Sequence, residues 1–199
     1  MKEEREEMVE MARFLGEVFF LCTLPRTGWL LGGVRSPDPV SAHIYRGTTV
    51  ASLLAYQEQA DMEHCIAMFH YHDRGETRTL DMPPVTTRLL RSLGLSKKRI
   101  DRGAELYQEE SLSPKFAGFL RELSREFMEG KTMEARCCRD ADLIERGIIA
   151  LLDRGNARFP QHLNNIIKEI APLLKTESGK KLWAIIVENP QILAEWMAK

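Results

Sequence analysis

The sequence predicts an all-α fold, and three observations carry the prediction. Apolar residues recur at i, i+3 and i+4 over long stretches. No segment alternates apolar and polar residues for long enough to make a sheet. Stretches rich in Gly and Pro interrupt the periodic segments at short intervals, as loops between helices do.

The elements follow in order. A first helix covers about residues 3–22, with Met8, Met11, Phe14, Leu15, Val18 and Phe19 on one apolar face. The loop LPRTGWLLGGVRSPDP comes next. A second helix runs from about Val40 to Gln59. A third starts at Asp61, whose side chain suits an N-cap, and ends near His72. The irregular stretch DRGETRTLDMPP leads to a helix that Pro84 opens and Gly94 closes. Further helices fall at about 97–109, 114–129 and 132–154, and Gly155-Asn156 stops the last of these. From Pro160 two or three short helices remain, punctuated by Ser178-Gly179 and Pro190. The 199 residues fit one domain, with a motif-bearing core over about 12–155 and a C-terminal helical extension over about 159–199.

Composition narrows the function. Twenty-eight basic residues against 29 acidic ones give a net charge of −1, which argues against a nucleic-acid polymer or an anionic membrane as partner. The acidic start MKEEREEMVEM is unlike a signal peptide, and FLGEVFFLCTL is too short to span a bilayer. Cys22, Cys65, Cys137 and Cys138 form no CxxC pair and read as reduced core thiols of a cytoplasmic protein.

Polar residues inside apolar helices carry the chemistry. His43 lies among Val40, Ile44, Val50, Leu53 and Leu54, where an imidazole is either a satisfied core group or a ligand. His72 and Asp73 close the third helix in HYHD. Asp142 sits mid-helix in RCCRDADLIERGIIALL, where a carboxylate on the buried side needs a partner or a metal. Its neighbour Asp140 is expected on the opposite side, in solvent. Two imidazoles and two carboxylates suit one divalent cation (Mn, Co, Fe, Mg or Zn) and neutralise its charge. A cation so held lowers the pKa of water toward neutrality.

The order His43, His72-Asp73, Asp142 resembles the H…HD…D pattern of HD-domain metal-dependent phosphohydrolases. PRTGW at 25–29, the segment SPDPVSAHIYR, the stretch HDRGETRTLD at 72–81 and the segment REFMEGKTMEARCCRDADLIE are similar to the 5'-deoxynucleotidase branch of that superfamily. The resemblance implies a compact HD-domain helical fold with additional C-terminal helices. It implies that His43, His72, Asp73 and Asp142 hold one divalent metal, and that Glu76 activates or orients the attacking water. It places Asp81 beside the reacting phosphate, Arg26 on the phosphate, Trp29 at the nucleoside pocket and, with a one-residue shift, Glu126 on the sugar. The implied activity is hydrolysis of a small phosphomonoester, a (deoxy)nucleoside 5'-monophosphate, by a homodimer. The alternatives are another small phosphate ester, a nucleoside triphosphate, or a non-catalytic regulatory HD module. The chain departs from the pattern at Ala42, where an acidic residue is usual, at Cys22, where a lysine is common, and at Leu80, where a glycine is common. The charged pattern expected from Thr86 to Glu110 is also missing. No histidine occurs between Arg74 and Ala141, so a second metal is not expected.

The residues themselves fit these roles. Asp73 and Glu76 stand at i, i+3, and the fork of Arg26 suits phosphate oxygens. Four carboxylates, Asp73, Glu76, Asp81 and Asp142, facing one cation and one arginine disfavour a triphosphate. Arg35, Arg46, Arg74 and Arg78 are the further basic candidates, which the sequence does not place.

Overall fold

A computed structural model describes residues 2–198. Helix α1 (Lys2–Phe19) runs into a 3-10 turn at Phe20–Cys22. The loop after it contains a short helix, α2 (Thr27–Leu31), which the Gly/Pro content had concealed. Then come α3 (Val40–Glu58), α4 (Met62–Tyr71), the one-turn α5 (Glu76–Thr79), α6 (Pro84–Ser92), α7 (Lys97–Glu109), α8 (Pro114–Glu129) and α9 (Met133–Asp153). After these, α10 (Pro160–Ile170) and α11 (Glu177–Glu188) are joined and followed by 3-10 turns. Among the described residues there is no strand, only an isolated bridge between Pro25 and Pro39.

Local chemistry sets these limits. Asp61 accepts from His64 N, as its N-cap position demands. Thr132 does the same for α9 through Ala135 N, and Gly130 ends α8 at φ +65°. The chain turns after His72 instead of extending α4, and Glu76 N donates to Asp73 O. This keeps Asp73 and Glu76 close although α4 has ended.

The core gathers Leu54 and Ala55 of α3, Met68 and Phe69 of α4, Leu123 of α8, and Cys137, Cys138 and Ile144 of α9. Ile170 and Trp183 of the C-terminal helices belong to the same core. Helices α3 and α4 meet tightly because a Cβ at Gly47 would lie 2.1 Å from the Phe69 ring. That approach brings the His43 and His72 rings together edge-on, with centroids 5.4 Å apart. The cysteines are all free; Cys65, Cys137 and Cys138 are core residues, whereas Cys22 is exposed.

The apolar face of α1 is only partly covered. Phe14 is buried and Val18 packs against the core, but Met8, Met11, Leu15 and Phe19 are exposed, Phe19 to 68%.

Candidate metal centre and active site

Four side chains from three places meet in the interior. His43 projects from α3, His72 and Asp73 from the turn after α4, and Asp142 from α9. His72 Nε2 is 3.1 Å from Asp73 Oδ2. His43 Nε2 is 3.5 Å from both Asp73 Oδ2 and Asp142 Oδ1. The two Nε2 atoms are 3.4 Å apart. The ligand atoms of His43, His72 and Asp73 lie within 4.8 Å of one another.

The outer ring nitrogens orient the cluster. His43 Nδ1 lies 2.7 Å from Glu145 Oε2, and His72 Nδ1 lies 2.7 Å from the Phe69 carbonyl. Both outer nitrogens therefore donate, which turns the Nε2 atoms, the positions that ligate a cation, toward each other and toward the carboxylates. Such a set of acceptors is mutually repulsive unless a positive charge sits among them, and it fits a divalent cation. The two aspartates draw positive charge into the centre. Burial disfavours a charged His72, yet Asp73 and Asp142 raise its pKa above the ordinary histidine value. Burial likewise opposes ionisation of Asp73, but His72, His43 and Arg26 hold it well below the usual carboxylate range.

Glu145 is a member of this centre that the sequence reading missed. Only 3% exposed, it receives Arg46 Nε on one oxygen at 2.8 Å and His43 on the other. It fixes the tautomer and orientation of His43, as carboxylates behind metal-binding histidines do. Its position, three residues after Asp142 and on the same face of α9, was the available signal.

Glu76 is 4% exposed, and its Oε2 has no hydrogen-bond partner. Lys97 Nζ approaches the other oxygen at 3.5 Å, while ion-pairing with Asp101 at 2.7 Å. Burial, reinforced by Asp73 and Asp81, pushes the Glu76 carboxyl up to about 9, against the opposing charges of Lys97 and Arg26. Lys97 was also missed, because a lysine with an aspartate four residues on reads as a solvated pair.

Arg26 is mostly buried, with NH1 3.5 Å from Asp73 Oδ2. Asp81 Oδ2 accepts from the Thr27 backbone N–H and hydroxyl, so its carboxylate also fastens the start of α2. Leu80, before it, has φ +60° and ψ 163°, a region that strains any residue with a Cβ. A glycine there would be relaxed. Arg26, Trp29 and Asp81 line a cavity of about 490 Å³ that continues to Arg88 of α6, Arg146 of α9, and His162 and Asn165 of α10. Trp29, 4% exposed, forms its floor and packs on Val34, Ile149 and Leu163.

One expectation needs correction. Asp140 is not solvated: it is fully buried and accepts from Lys175 N, Thr176 N and Thr176 Oγ1. Glu126, expected on the sugar, has partners of its own. Its carboxylate is held by His64 Nε2 at 2.7 Å and by Thr132 Oγ1, joining α4 to the start of α9.

An all-helical chain with paired histidines and aspartates at the junction of its central helices defines a class, and the chain belongs to the HD-domain family, whose model matches residues 21–183. A 5'-deoxynucleotidase of Dictyostelium discoideum is 29% identical over 169 residues, covering 79% of this chain and 85% of the relative. A 5'-deoxynucleotidase of Xenopus laevis is 25% identical over 186 residues, covering 93% and 90%. Among solved structures, a protein from Magnetospirillum magnetotacticum described as a predicted metal-dependent phosphohydrolase superposes with a TM-score of 0.69 at 18% identity, covering 92% of this chain and 94% of that one. A conserved hypothetical protein from Pyrococcus furiosus gives 0.68 at 23% identity, covering 89% and 97%.

Proposed function

We propose that the protein is a metal-dependent phosphohydrolase that cleaves (deoxy)nucleoside 5'-monophosphates to nucleoside and phosphate. The observation that carries this reading is the crowding of His43, His72, Asp73 and Asp142 acceptors beside a buried, half-unpartnered Glu76, with a cavity that Arg26 lines. The 5'-deoxynucleotidase names of the relatives support the substrate class.

His43, His72, Asp73 and Asp142 would hold one divalent ion; Mn, Co, Fe, Mg and Zn are the candidates. When bound, that ion supplies a Lewis acid that acidifies water and draws charge from the phosphoryl oxygens. Glu76 accepts the proton of the attacking water or orients it. Arg26 donates to the phosphate oxygens and is itself aimed by Asp73. Asp81 holds Thr27, and through it the α2 end of the cavity, at the phosphate. Trp29 and the α10 wall shape the space for the nucleoside, which makes the C-terminal helices part of the working unit.

A homodimer is part of the same reading. It is supported by the exposed apolar face of α1 and by Tyr45, Leu53 and Tyr56 on α3. So is a reducing, cytoplasmic setting, supported by three buried free thiols. No helix among the described residues is long and apolar enough to cross a membrane.

The test is phosphate release from dAMP, AMP and dATP with added Mn or Co. We expect the monophosphates to be cleaved with the higher kcat/KM. Faster cleavage of dATP would overturn the monophosphate assignment, and no cleavage of any substrate would favour a non-catalytic HD module.

A further inference from the structure

Of the four further arginines that the sequence offered, three are used up by the fold, and Arg146, which was not among them, is the better candidate. Arg46 is held by Asp38 and Glu145, Arg74 by Glu105 and Glu109, and Arg78 by Glu17. Arg146 stands apart. It lies on α9 one turn after Asp142, half-buried, on the wall of the cavity that Arg26 and Asp81 also line. Among the described residues it has no ion pair within 4 Å, although Glu169 lines the same cavity. Its Nε is shielded from solvent and has no hydrogen-bond partner.

A charged donor shut away from water and left unpaired is costly, and folds normally avoid it. Here the donor belongs to a side chain lining a cavity large enough for a ligand. We infer that Arg146 is a substrate-contacting residue, a second guanidinium that donates to phosphate oxygens from α9 in the cavity that Arg26 also lines. The inference rests on the phosphohydrolase reading and deepens it.

The chemistry favours this occupant. A phosphate dianion presents more oxygen lone pairs than one arginine fork can meet, and a second fork from another helix completes the grip. The cavity thus offers a phosphate two guanidinium groups, Arg26 and Arg146. Arg88 lines the same cavity from α6 but is exposed, so it adds less. Arg146 holds the phosphate in the ground state as well as in the transition state, so its loss should appear mainly in KM.

The experiment uses the full chain with added Mn and compares wild type, Arg146→Met and Arg146→Lys. Turnover of dAMP is measured alongside binding of inorganic phosphate by calorimetry. Met is a good helix former of similar length, and the melting temperature checks the fold. In Arg146→Met we expect KM for dAMP and Kd for inorganic phosphate to rise about 10- to 100-fold, the effect of one charge-assisted hydrogen bond, with kcat changed far less. Arg146→Lys should recover part of both. Unchanged KM and phosphate affinity in Arg146→Met would overturn the inference while leaving the nucleotidase reading standing. Wild type that binds no phosphate would also overturn it. Wild type that cleaves no nucleotide but binds phosphate through Arg146 would sustain the inference and remove the nucleotidase reading.

Discussion

Asp140 and Asp142 stand two residues apart on α9 and are treated in opposite ways. Asp140 is fully buried, and three donors from the segment ahead of α11 close around it at 3.0, 2.7 and 2.7 Å. Its carboxylate oxygen sits so close to the next turn that a Cβ at Gly179 would meet it at 2.8 Å. Asp142 is half-buried, and its nearest polar neighbour across the centre is a ring nitrogen at 3.5 Å. One carboxylate has all the donors it needs; the other sits among acceptors. The difference teaches that depth of burial does not mark a functional carboxylate. A buried acid satisfied by backbone donors is a structural tie, whereas an acid facing other acceptors is waiting for a cation.

That contrast breaks most visibly by mutation of Asp142. Asp142→Asn should lose its bound divalent ion after metal has been added back, as read by elemental analysis. Its kcat/KM should fall by more than the roughly 10- to 100-fold typical of changes behind a metal ligand. The chelated protein should melt somewhat lower than wild type at neutral pH, because His43, His72 and Arg146 favour the ionised Asp142 in the fold against the effect of burial. Metal content equal to that of wild type would show that Asp142 is no ligand. Glu76→Ala comes next. It should retain metal and fold but lose about 10²- to 10⁴-fold in kcat, the usual weight of a general base. Near-normal turnover would make Glu76 a bystander.

Asp140→Ala should do the reverse. Removing the carboxylate leaves three donors facing a small cavity, at a cost of about 2–4 kcal/mol in unfolding free energy. Denaturant titration reads this directly. Metal content and KM should stay near wild type, since no residue of the centre touches Asp140. A variant of full stability that has lost its metal would invert the assignment of the two aspartates.

The sequence made part of this legible. The helices could be read because their ends carry strong local signals, such as Asp61, Pro84 and Gly94. The centre could be read because two histidines and two aspartates recur in a familiar order. The roles of Asp140 and Asp142 could not be assigned from phase alone. Helix α9 is buried around most of its circumference, so position on the wheel does not separate inside from outside. What satisfies Asp140 lies 35 positions further on, at Lys175 and Thr176. Lys97 and Arg146 were hidden because each has an acid one turn away and reads as a solvated pair. The partners of Glu126, His64 and Thr132, were hidden for a related reason, since they are close to it only in the fold.

Glu76 offers the finest version of the comparison, because it shares the unsatisfied character of Asp142 but can relieve it with a proton. Its folded pKa is pushed up to about 9 from an ordinary value of 4.5, first by burial and then by Asp73 and Asp81. Below pH 4.5 the folded and unfolded chains both carry the proton, so Glu76 sets up no difference between them. As pH rises past 4.5 the unfolded chain ionises the group while the fold retains its proton, and stability falls until the folded group ionises near 9. A glutamine never ionises and escapes that loss. In chelated protein, Glu76→Gln should therefore melt with wild type near pH 4 and pull ahead by a few degrees through neutral pH. The gap should stop growing above about pH 9. Adding Mn should narrow it, since a nearby cation favours the ionised glutamate that only wild type can form. Melting curves across this range decide the matter. A gap independent of pH would mean that Glu76 keeps an ordinary carboxyl and is satisfied after all, as Asp140 is.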